Sequence, residues 1–291
     1  MQLVKTQRDA LLRPLQIVSG IVERRHTLPI LANILIRKDG ERVSFLSTDI
    51  EVQITTHAQV GSGNDIASTT VAARKLLDIL RALPDSGDVS LTLANKRMTV
   101  QSGKSRFALQ TLAAEEFPTV AQAEQYNAKV TLPQKTLKHL FNMVHFSMAQ
   151  QDIRYYLNGL LLVVDGKNVI AVATDGHRLA FCQVATEQEF PRQEVIIPRK
   201  TIIELQRLLE ENDQPVDLEI ANNQVKLTFG DIELISKLVE GKFPDYTRVV
   251  PKGYKNNFTI GRDALLRSLQ RAAIMTCLLY TSDAADDLLC V

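Results

Sequence analysis

The chain has 291 residues, which is enough for two or three domains, each able to bury its own core. Hydrophobic residues make up 45% and charged residues 23%, the balance of a soluble globular protein, and no apolar run is long enough to cross a membrane. The formal net charge of +1 leaves nucleic-acid binding open, because a protein can be basic on one face and acidic on another.

The N-terminal segment passes directly into an amphipathic pattern. Leu11, Leu15, Val18 and Val22 recur at helical spacing and predict a helix with one apolar face. The segment lacks the basic, apolar and small-residue order of a secretory signal. We therefore expect a cytoplasmic protein.

A domain-sized repeat follows along the chain. Five dipeptides recur in the same order at an offset of about 126 residues, which indicates duplication of a whole domain. The pairs are Asp39-Gly40 and Asp165-Gly166, Thr48-Asp49 and Thr174-Asp175, Arg74-Lys75 and Arg199-Lys200, Ala94-Asn95 and Ala221-Asn222, and Phe117-Pro118 and Phe243-Pro244. The offset also carries the first helix onto Leu137, Phe141, Val144 and Met148.

Each repeat is predicted to mix helices and strands. Alternating runs such as VSFLSTDIEVQITT and VIAVATDGHRLAF predict strands, and the Asp-Gly pairs suit tight hairpin turns. A second helix follows in each repeat, RKLLDILRAL in the first and RKTIIELQRLL in the second. Two helices and about eight strands per repeat indicate an α+β fold, with the helices gathered on one face of antiparallel sheets.

A third repeat begins near residue 255. The segment RDALLRSLQ nearly copies RDALLRPLQ, and it places Leu265, Leu269 and Ala272 on the helical pattern. The pattern stops at the run TCLLYTSDAADDLLCV. We therefore divide the chain into repeat one (1–125), repeat two (126–253), the start of repeat three (254–275) and an aberrant tail (276–291), and expect a truncated third domain with Leu265 and Leu269 left exposed.

The predicted helices are net basic. Arg8 and Arg13 lie on the first, Arg74, Lys75 and Arg81 on the second, and Lys135 and Lys138 on the helix that opens repeat two. If the repeats lie side by side, these helices form a sparse positive lining suited to phosphates. Charge alone favours the alternative, in which they are the solvated helix faces of any soluble protein.

The segment TDGHRLAF is the best catalytic candidate. Asp175 could orient the imidazole of His177 as a general base, but no nucleophile occupies a recognisable motif. The three cysteines, Cys182, Cys277 and Cys290, have neither disulfide nor zinc spacing. No nucleotide-binding or metal-binding motif is present, so we expect no cofactor.

Several longer motifs resemble one family. They are HTLPILANIL at 26–35, RYYLNG at 154–159, ATDGHRLA at 173–180, PRK at 198–200 and SKLVEGKFPDY at 236–246. In this order and spacing they resemble the bacterial DNA sliding clamps, the β subunit of DNA polymerase III, over residues 1 to about 275. Family members have three similar domains per chain and close head to tail as dimers around duplex DNA.

The resemblance implies a non-catalytic processivity factor held on DNA by topology, with loose phosphate contacts. The positions that match the family's DNA contacts are Arg25, Gln151, Tyr155, Tyr156, Arg199 and Lys200. For the tyrosines, packing in the core is the alternative. The implied partners are double-stranded DNA, the replicative polymerase, the clamp loader, and other polymerases and repair proteins that carry clamp-binding peptides.

The resemblance also implies a peptide pocket and a dimer interface. The pocket positions are Leu157, Thr174, Gly176, His177, Arg178, Leu179, Pro244, Arg248 and Val249. The dimer positions are Arg74, Lys75, Ile79, Lys104, Arg106 and Phe107. Because the family pattern stops after about Met275, we expect impaired ring closure and a monomer. The alternatives are a monomeric peptide-binding module that does not encircle DNA and a hydrolase using Asp175 and His177.

Overall fold

The computed structural model describes residues 1–22, 28–61, 63–85, 87–251, 253 and 255–274. Its contacts divide the chain into two compact units, unit one (Met1–Pro244) and unit two (Asp245–Val291). Unit one holds all of repeat one and nearly all of repeat two. Every helix in the described ranges is too short or too polar to cross a lipid bilayer.

Within its described residues, unit one has four α-helices and fourteen β-strands. The helices are α1 (Arg8–Val18), α2 (Ala73–Ala82), α3 (Gln134–Val144) and α4 (Arg199–Leu208). The strands of repeat one are β1 (Gln2–Gln7), β2 (Asn33–Asp39), β3 (Arg42–Thr48), β4 (Val52–Gln59), β5 (Ile66–Ala72), β6 (Asp88–Ala94), β7 (Arg97–Ser102) and β8 (Ser105–Leu112). Those of repeat two are β9 (Ala128–Pro133), β10 (Gly159–Thr174), β11 (Leu179–Pro198), β12 (Pro215–Ile220), β13 (Gln224–Phe229) and β14 (Ile232–Lys237).

The predicted α+β class is confirmed, and the number of strands in repeat two is lower than predicted. β2 and β3 form the expected hairpin, with Asp39 opposite Arg42 and Gly40 at a φ of 60°. In repeat two, β10 and β11 are long continuous strands, and Gly166 (φ 55°) lies inside β10 where their pairing shifts register. Repeat two therefore has six strands, two of them long, where about eight were predicted.

Two antiparallel sheets carry the helices. The larger has twelve strands in the order β1-β6-β7-β8-β5-β2-β3-β4-β14-β13-β12-β9, and β10 and β11 form the smaller. Helix α1 packs on β3 and β4 and against α2, whereas α3 and α4 pack on β10 and β11 and against each other. The helices thus occur in one pair per repeat, as the duplication predicts.

The apolar pattern read from the sequence is the buried face of the helices. In α1 the side chains of Leu11 and Leu15 are fully buried, and in α3 so are those of Leu137 and Phe141. Burial of one such side chain stabilises the fold by roughly 1.5–3 kcal/mol. The apolar pattern extends beyond the helices, because Val22 and Met148 lie after the ends of α1 and α3 and are also buried.

Unit two begins with a short 3-10 helix and contains one longer helix among its described residues. The 3-10 helix spans Tyr246–Arg248, and the carboxylate of Asp245 accepts a hydrogen bond from the backbone N–H of Thr247. Helix α5 spans Arg262–Ala273. Its Leu265 and Leu269 are exposed, as expected.

The two repeats are joined inside unit one by backbone pairing. β14 of repeat two lies antiparallel to β4 of repeat one, from Ile232 opposite Thr56 to Ser236 opposite Val52. The large sheet therefore runs without a break from one repeat into the next.

A guanidinium also joins the helices across this junction. Arg207 at the end of α4 donates through Nη2 to the Ile17 carbonyl at 2.8 Å and through Nη1 to the Gln16 carbonyl at 3.4 Å. Glu204 holds the guanidinium in place by accepting from Nε at 2.8 Å. These carbonyls lie in the last turn of α1, where free carbonyls and the helix dipole favour a cation.

The substitution Arg207→Ala should lower the free energy of unfolding by about 1–2 kcal/mol, because it leaves two helix-end carbonyls without this donor. A Cβ at Gly20 would overlap the Arg207 guanidinium. Gly20→Ala should therefore destabilise the protein by displacing Arg207, and it should have little further effect once Arg207 is alanine. Urea unfolding of both single variants and the double variant measures this coupling.

The control for this cycle is Arg192→Ala. Arg192 pairs with Asp165 and Glu194 on the other side of repeat two and contacts neither α1 nor α4 through those bonds. Its effect should add to that of Gly20→Ala. Equal additivity in both cycles would show that Gly20 and Arg207 are not coupled.

Candidate functional site

The loop between β10 and β11 is built by Thr174 and Asp175. The Thr174 hydroxyl donates to the Arg178 carbonyl at 2.7 Å and accepts from the Gly176 N–H at 3.1 Å. The Asp175 Oδ1 accepts from the backbone N–H groups of His177 and Arg178 at 2.9 and 3.0 Å. The loop is therefore fixed by its own first two residues.

Repeat one contains the same loop. The Thr48 hydroxyl donates to the Val52 carbonyl at 2.9 Å and accepts from Ile50 N–H at 3.0 Å, and Asp49 Oδ1 accepts from Val52 N–H at 2.7 Å. The residue after Asp49 is Ile50 at a φ of 81°, whereas Gly176 has a φ of 91°. Thr-Asp is thus a structural element of both repeats. The residues that follow it are free to differ.

The carboxylate of Asp175 orders this loop and does not orient an imidazole. Its Oδ2 accepts from Arg178 Nε at 3.0 Å, and its bond to His177 is made to the backbone N–H. Burial raises the pKa of Asp175, but the bonds from Arg178 and His177 outweigh it, so its net pKa lies below the ordinary 3.8. The hydrolase hypothesis therefore loses the carboxylate–imidazole pair that it required.

The positions predicted for the peptide pocket differ in exposure. Leu157 and Thr174 are buried and Leu179 is half-buried, whereas the remaining positions of unit one are exposed at Gly176, His177, Arg178 and Pro244. The buried leucine shows that packing contributes at that position. Gly176, His177 and Arg178 therefore form an accessible surface on the loop.

In unit two, Arg248 and Val249 are both exposed. Arg248 Nε lies 2.9 Å from Asp245 Oδ2, and 60% of Val249 is exposed. An exposed valine beside a guanidinium offers one apolar and one polar contact to a ligand.

Two side chains that the pocket prediction did not include support the loop. Arg154 Nη2 donates to the Asp175 carbonyl at 3.2 Å, and the Arg178 guanidinium lies 6.0 Å from the centre of the Phe146 ring. Arg154 belongs to the RYYLNG motif, so the sequence did carry a signal for it. Phe146 lies in no motif and is brought near by the end of α3.

The segment 148–158 is held in shape by Asp152 and Asn158. Asp152 N–H donates to Asn158 Oδ1, and Asn158 Nδ2 donates back to the Asp152 carbonyl, each at 2.9 Å. Side-chain and backbone hydrogen bonds from Arg154 lower the pKa of Asp152 to about 2. This bracing presents the residues between Asp152 and Asn158 on a fixed turn.

Three of the predicted DNA-contact residues lie on or beside that turn. Gln151 is exposed at a φ of 57°, Tyr155 is 59% exposed, and Tyr156 is half-buried. The two rings meet edge to face with centroids 6.1 Å apart. Core packing therefore does not account for Tyr155. Arg25 lies outside the described residues.

The other two predicted DNA contacts have protein partners. Arg199 Nη1 donates to the Met148 carbonyl at 3.4 Å. Lys200 Nζ lies 2.5 Å from Asp49 Oδ2, so it joins the start of α4 to the Thr-Asp loop of repeat one. Both cations are partly engaged in holding the fold.

Three basic helix residues are also paired with acids. Arg13 lies 3.2 Å from Glu210, Lys135 lies 2.6 Å from Asp213 and Lys138 lies 3.8 Å from Glu211. The acidic residues all come from the turn after α4. The predicted positive lining is therefore weaker than the charges of the helices alone indicated.

The predicted dimer residues fall on α2 and β8. Arg74 Nη2 donates to the Val22 carbonyl at 3.2 Å, Lys75 is exposed and Ile79 is half-buried. Lys104, Arg106 and Phe107 are exposed in and after the β7–β8 turn.

Strand β8 has an open edge. It pairs with β7 over 105–110, but with β5 only where Thr70 and Val71 lie opposite Leu112 and Thr111. Residues 105–110 therefore have one neighbouring strand among the described residues, which leaves backbone groups available for another chain.

β14 is the counterpart of β8 in repeat two. Gly103 and Gly230 both have a φ of 54° in the turn before these strands, which aligns Phe107 with Leu234. Leu234 is fully buried opposite Ile54 of β4, whereas Phe107 is 38% exposed. The edge of β14 is covered by β4, and the same edge of β8 is uncovered.

Clusters of three or more His, Cys, Asp or Glu that could hold a metal ion do not occur in the described ranges. Cys182 is half-buried, and burial raises the pKa of its thiol. Cys277 and Cys290 lie outside the described residues.

Comparison with known proteins gives consistent matches. The family model for the N-terminal domain of the DNA polymerase III beta subunit matches residues 1–121, and that for the central domain matches residues 131–245. The beta sliding clamp of Escherichia coli K12 is 43% identical over 270 residues, which cover 93% of this chain and 74% of that protein. That of Proteus mirabilis is 44% identical over 271 residues, with the same coverage of both proteins.

Solved structures agree with these sequence matches. The DNA polymerase III subunit beta from Pseudomonas aeruginosa aligns with a TM-score of 0.90 and 41% identity, covering 96% of this chain and 76% of that one. A second structure of a P. aeruginosa clamp, bound to griselimycin, has a TM-score of 0.89 and 40% identity, with the same coverage.

The loop chemistry predicts how stability changes with pH. Because the folded pKa of Asp175 lies below 3.8, its carboxylate stabilises the fold above that pH, and the contribution is lost as pH falls through the folded pKa. Asp175→Asn should cost about 1 kcal/mol at pH 7 and progressively less as the pH falls below the ordinary pKa of the carboxylate. Urea unfolding over a series of pH values measures the difference, and a cost that does not change with falling pH would contradict the assignment.

Proposed function

The chain belongs to the DNA polymerase III β-subunit family, the sliding clamps, and from that premise we propose that it docks partner peptides beside its Thr174-Asp175 loop and that the full-length form, with a complete third domain, encircles duplex DNA as a closed dimer. Its function is that of a non-catalytic processivity subunit of the replicative polymerase. It requires no cofactor for this role. The cytoplasm, where the chromosome is replicated, is its proposed location.

The observation that carries the ring proposal is the β4–β14 junction. This junction joins two different edges, one from each repeat, so it is a head-to-tail contact. Head-to-tail contacts close into rings when the rotation between successive units divides a full turn, and otherwise they form open filaments. The open edge of β8 has the strand position of β14 and can form the same kind of contact with another subunit.

The predicted dimer residues suit such an edge. Arg106 and Phe107 lie on the uncovered stretch of β8, and Lys104 lies in the turn before it. An antiparallel strand added to this edge would cover the exposed Phe107 as β4 covers Leu234. The surrounding cations favour an acidic partner surface.

Loose contact with DNA follows from the charge pairing. Gln151, Tyr155 and Tyr156 offer polar and aromatic contacts on a braced turn. Arg199 and Lys200 also have protein partners, which weakens their attraction to phosphates. Arg25 remains a predicted DNA contact outside the described residues. Contacts of this kind depend on the phosphate backbone and do not read bases. They are compatible with movement along DNA.

Peptide docking is supported by the loop geometry. Gly176, His177 and Arg178 are held in one shape by Asp175 before any ligand arrives, which reduces the entropy lost on binding. Within unit one, Leu157, Leu179 and Pro244 supply apolar surface and Thr174 supplies a polar group. Arg248 and Val249 of unit two remain predicted peptide contacts in their own right. The proposed partners are the replicative polymerase, the clamp loader, and other polymerases and repair proteins with a clamp-binding peptide.

A monomeric peptide-binding module is the second candidate function. The same loop would serve it, and the specific observation in its favour is that Arg13, Lys135 and Lys138 are paired with acids. Topological retention on DNA separates the two functions.

The proposed function predicts retention on closed DNA. Protein placed by a clamp loader on nicked circular DNA should stay bound during gel filtration in about 0.5 M salt. On the order of five phosphate contacts, screened at this salt concentration, would be too weak to hold it without a closed ring. Cutting the circle once should release it. Retention that is the same before and after cutting, or no retention at all, would favour the peptide-binding module.

The open edge predicts the site of dimerisation. Phe107→Ser should weaken dimerisation of the native subunit by about tenfold or more, because it removes an apolar contact from the proposed interface. Ile66→Ser is the matched control, since Ile66 is 79% exposed at the start of β5, outside the two β5 residues that pair with β8. Sedimentation equilibrium measures both. An equal effect of the two substitutions would place the interface elsewhere.

A further inference from the structure

A cleft of about 620 Å³ lies at the junction of the two repeats in unit one. Repeat one contributes Ile50, Pro118 and Val120 to its lining, and repeat two contributes Asn223, Leu238 and Glu240. None of the residues discussed above as a DNA, peptide or dimer contact lies in this lining. The cleft is therefore a separate feature of the molecule.

The cleft is the repeat-one counterpart of the proposed peptide site. Thr48, Ile50, Glu51 and Pro118 line it, and the repeat offset carries these four residues onto Thr174, Gly176, His177 and Pro244. The two Thr-Asp loops also share their hydrogen bonds and the left-handed conformation of the residue after aspartate. The duplication has thus produced two similar loops, and the repeat-one loop shares its cleft with Pro118.

The residues that follow Thr-Asp differ in charge between the two loops. Where repeat two has His177 and Arg178, repeat one has Glu51 and Val52. Glu240 adds a second exposed carboxylate, while the ammonium of Lys237 lies 3.4 Å from Glu51 and offsets one of them. The cleft is net negative, and Ile50, Val120 and Leu238 give it apolar surface.

The cleft wall also contains an unused acceptor. Gln224 is buried and donates through Nε2 to the Ala121 carbonyl at 3.0 Å. Its Oε1 has no hydrogen-bond partner among the described residues. A polar ligand that inserts an N–H beside Gln224 would satisfy this oxygen, as buried acceptors generally require.

We propose that this junction cleft is a second peptide-docking site, selective for an extended segment with an aliphatic anchor next to a basic residue. The anchor packs against Ile50 and Leu238, and the basic side chain lies between Glu51 and Glu240. This proposal rests on one part of the proposed function, namely that a Thr-Asp loop of this kind docks peptides. Its charge selects partners different from those of the repeat-two loop.

The test uses two fluorescein-labelled hexapeptides with the same leucine anchor, one with flanking lysines and one with flanking glutamates. Fluorescence polarisation with the full chain should show binding of the lysine peptide and much weaker binding of the glutamate peptide. The double substitution Glu51→Lys with Glu240→Lys should weaken lysine-peptide binding by about tenfold, because it reverses both exposed charges.

Two controls separate this site from general attraction and from the repeat-two loop. Glu187→Lys with Glu189→Lys makes the same change of net charge at exposed positions of β11 and should leave binding unchanged. His177→Ala with Arg178→Ala alters the repeat-two loop and should also leave lysine-peptide binding unchanged. All of these positions are exposed, so folding of the variants is checked simply by their urea unfolding midpoints.

Three results would overturn the proposal. They are no measurable binding of the lysine peptide, equal weakening by the β11 charge control, and loss of binding in the His177 and Arg178 variant. Because DNA retention is measured separately, the clamp function can hold while this second site fails, and the reverse can also occur.

Discussion

Antiparallel backbone pairing between β4 and β14 is the contact on which the rest of unit one depends. It makes one sheet of twelve strands from two repeats and brings the helix pairs close enough for Arg207 to reach the end of α1. Because backbone groups form it, the pairing tolerates different side chains in the two repeats. The junction cleft and the open edge of β8 are both defined by their position relative to it.

The Thr-Asp loops show how duplication separates shape from chemistry. Two side chains and the backbone determine the turn in each repeat, so the next residues can change without loss of the fold. Repeat two has glycine in the left-handed position, where it carries no steric cost, whereas repeat one retains a β-branched isoleucine there at a cost of about 1–2 kcal/mol. An apolar residue in a strained and half-exposed position is better explained by a contact than by the turn itself.

Much of this architecture could be predicted from the sequence, because helical periodicity reports burial directly. Leu11, Leu15, Leu137 and Phe141 are all buried as their spacing predicts. The long strand through Gly166 could not be predicted, since an Asp-Gly pair signals a turn without showing whether pairing continues beyond it. The pairing of Lys200 with Asp49 could not be predicted either, because Asp49 is distant in sequence and approaches Lys200 only when the repeats pair.

Charge pairing across the helices has a physical consequence for a protein that moves on DNA. Cations that release many counterions bind DNA tightly but must break those contacts at every step. Here Arg13 and Lys135 already have carboxylates at 3.2 and 2.6 Å, so each phosphate contact would replace an existing pair with little net gain. Weak contacts cannot by themselves keep the protein on DNA. In the proposed ring, the strength of attachment comes from closure, so the uncovered edge of β8, as the proposed interface, is as important as the proposed DNA contacts.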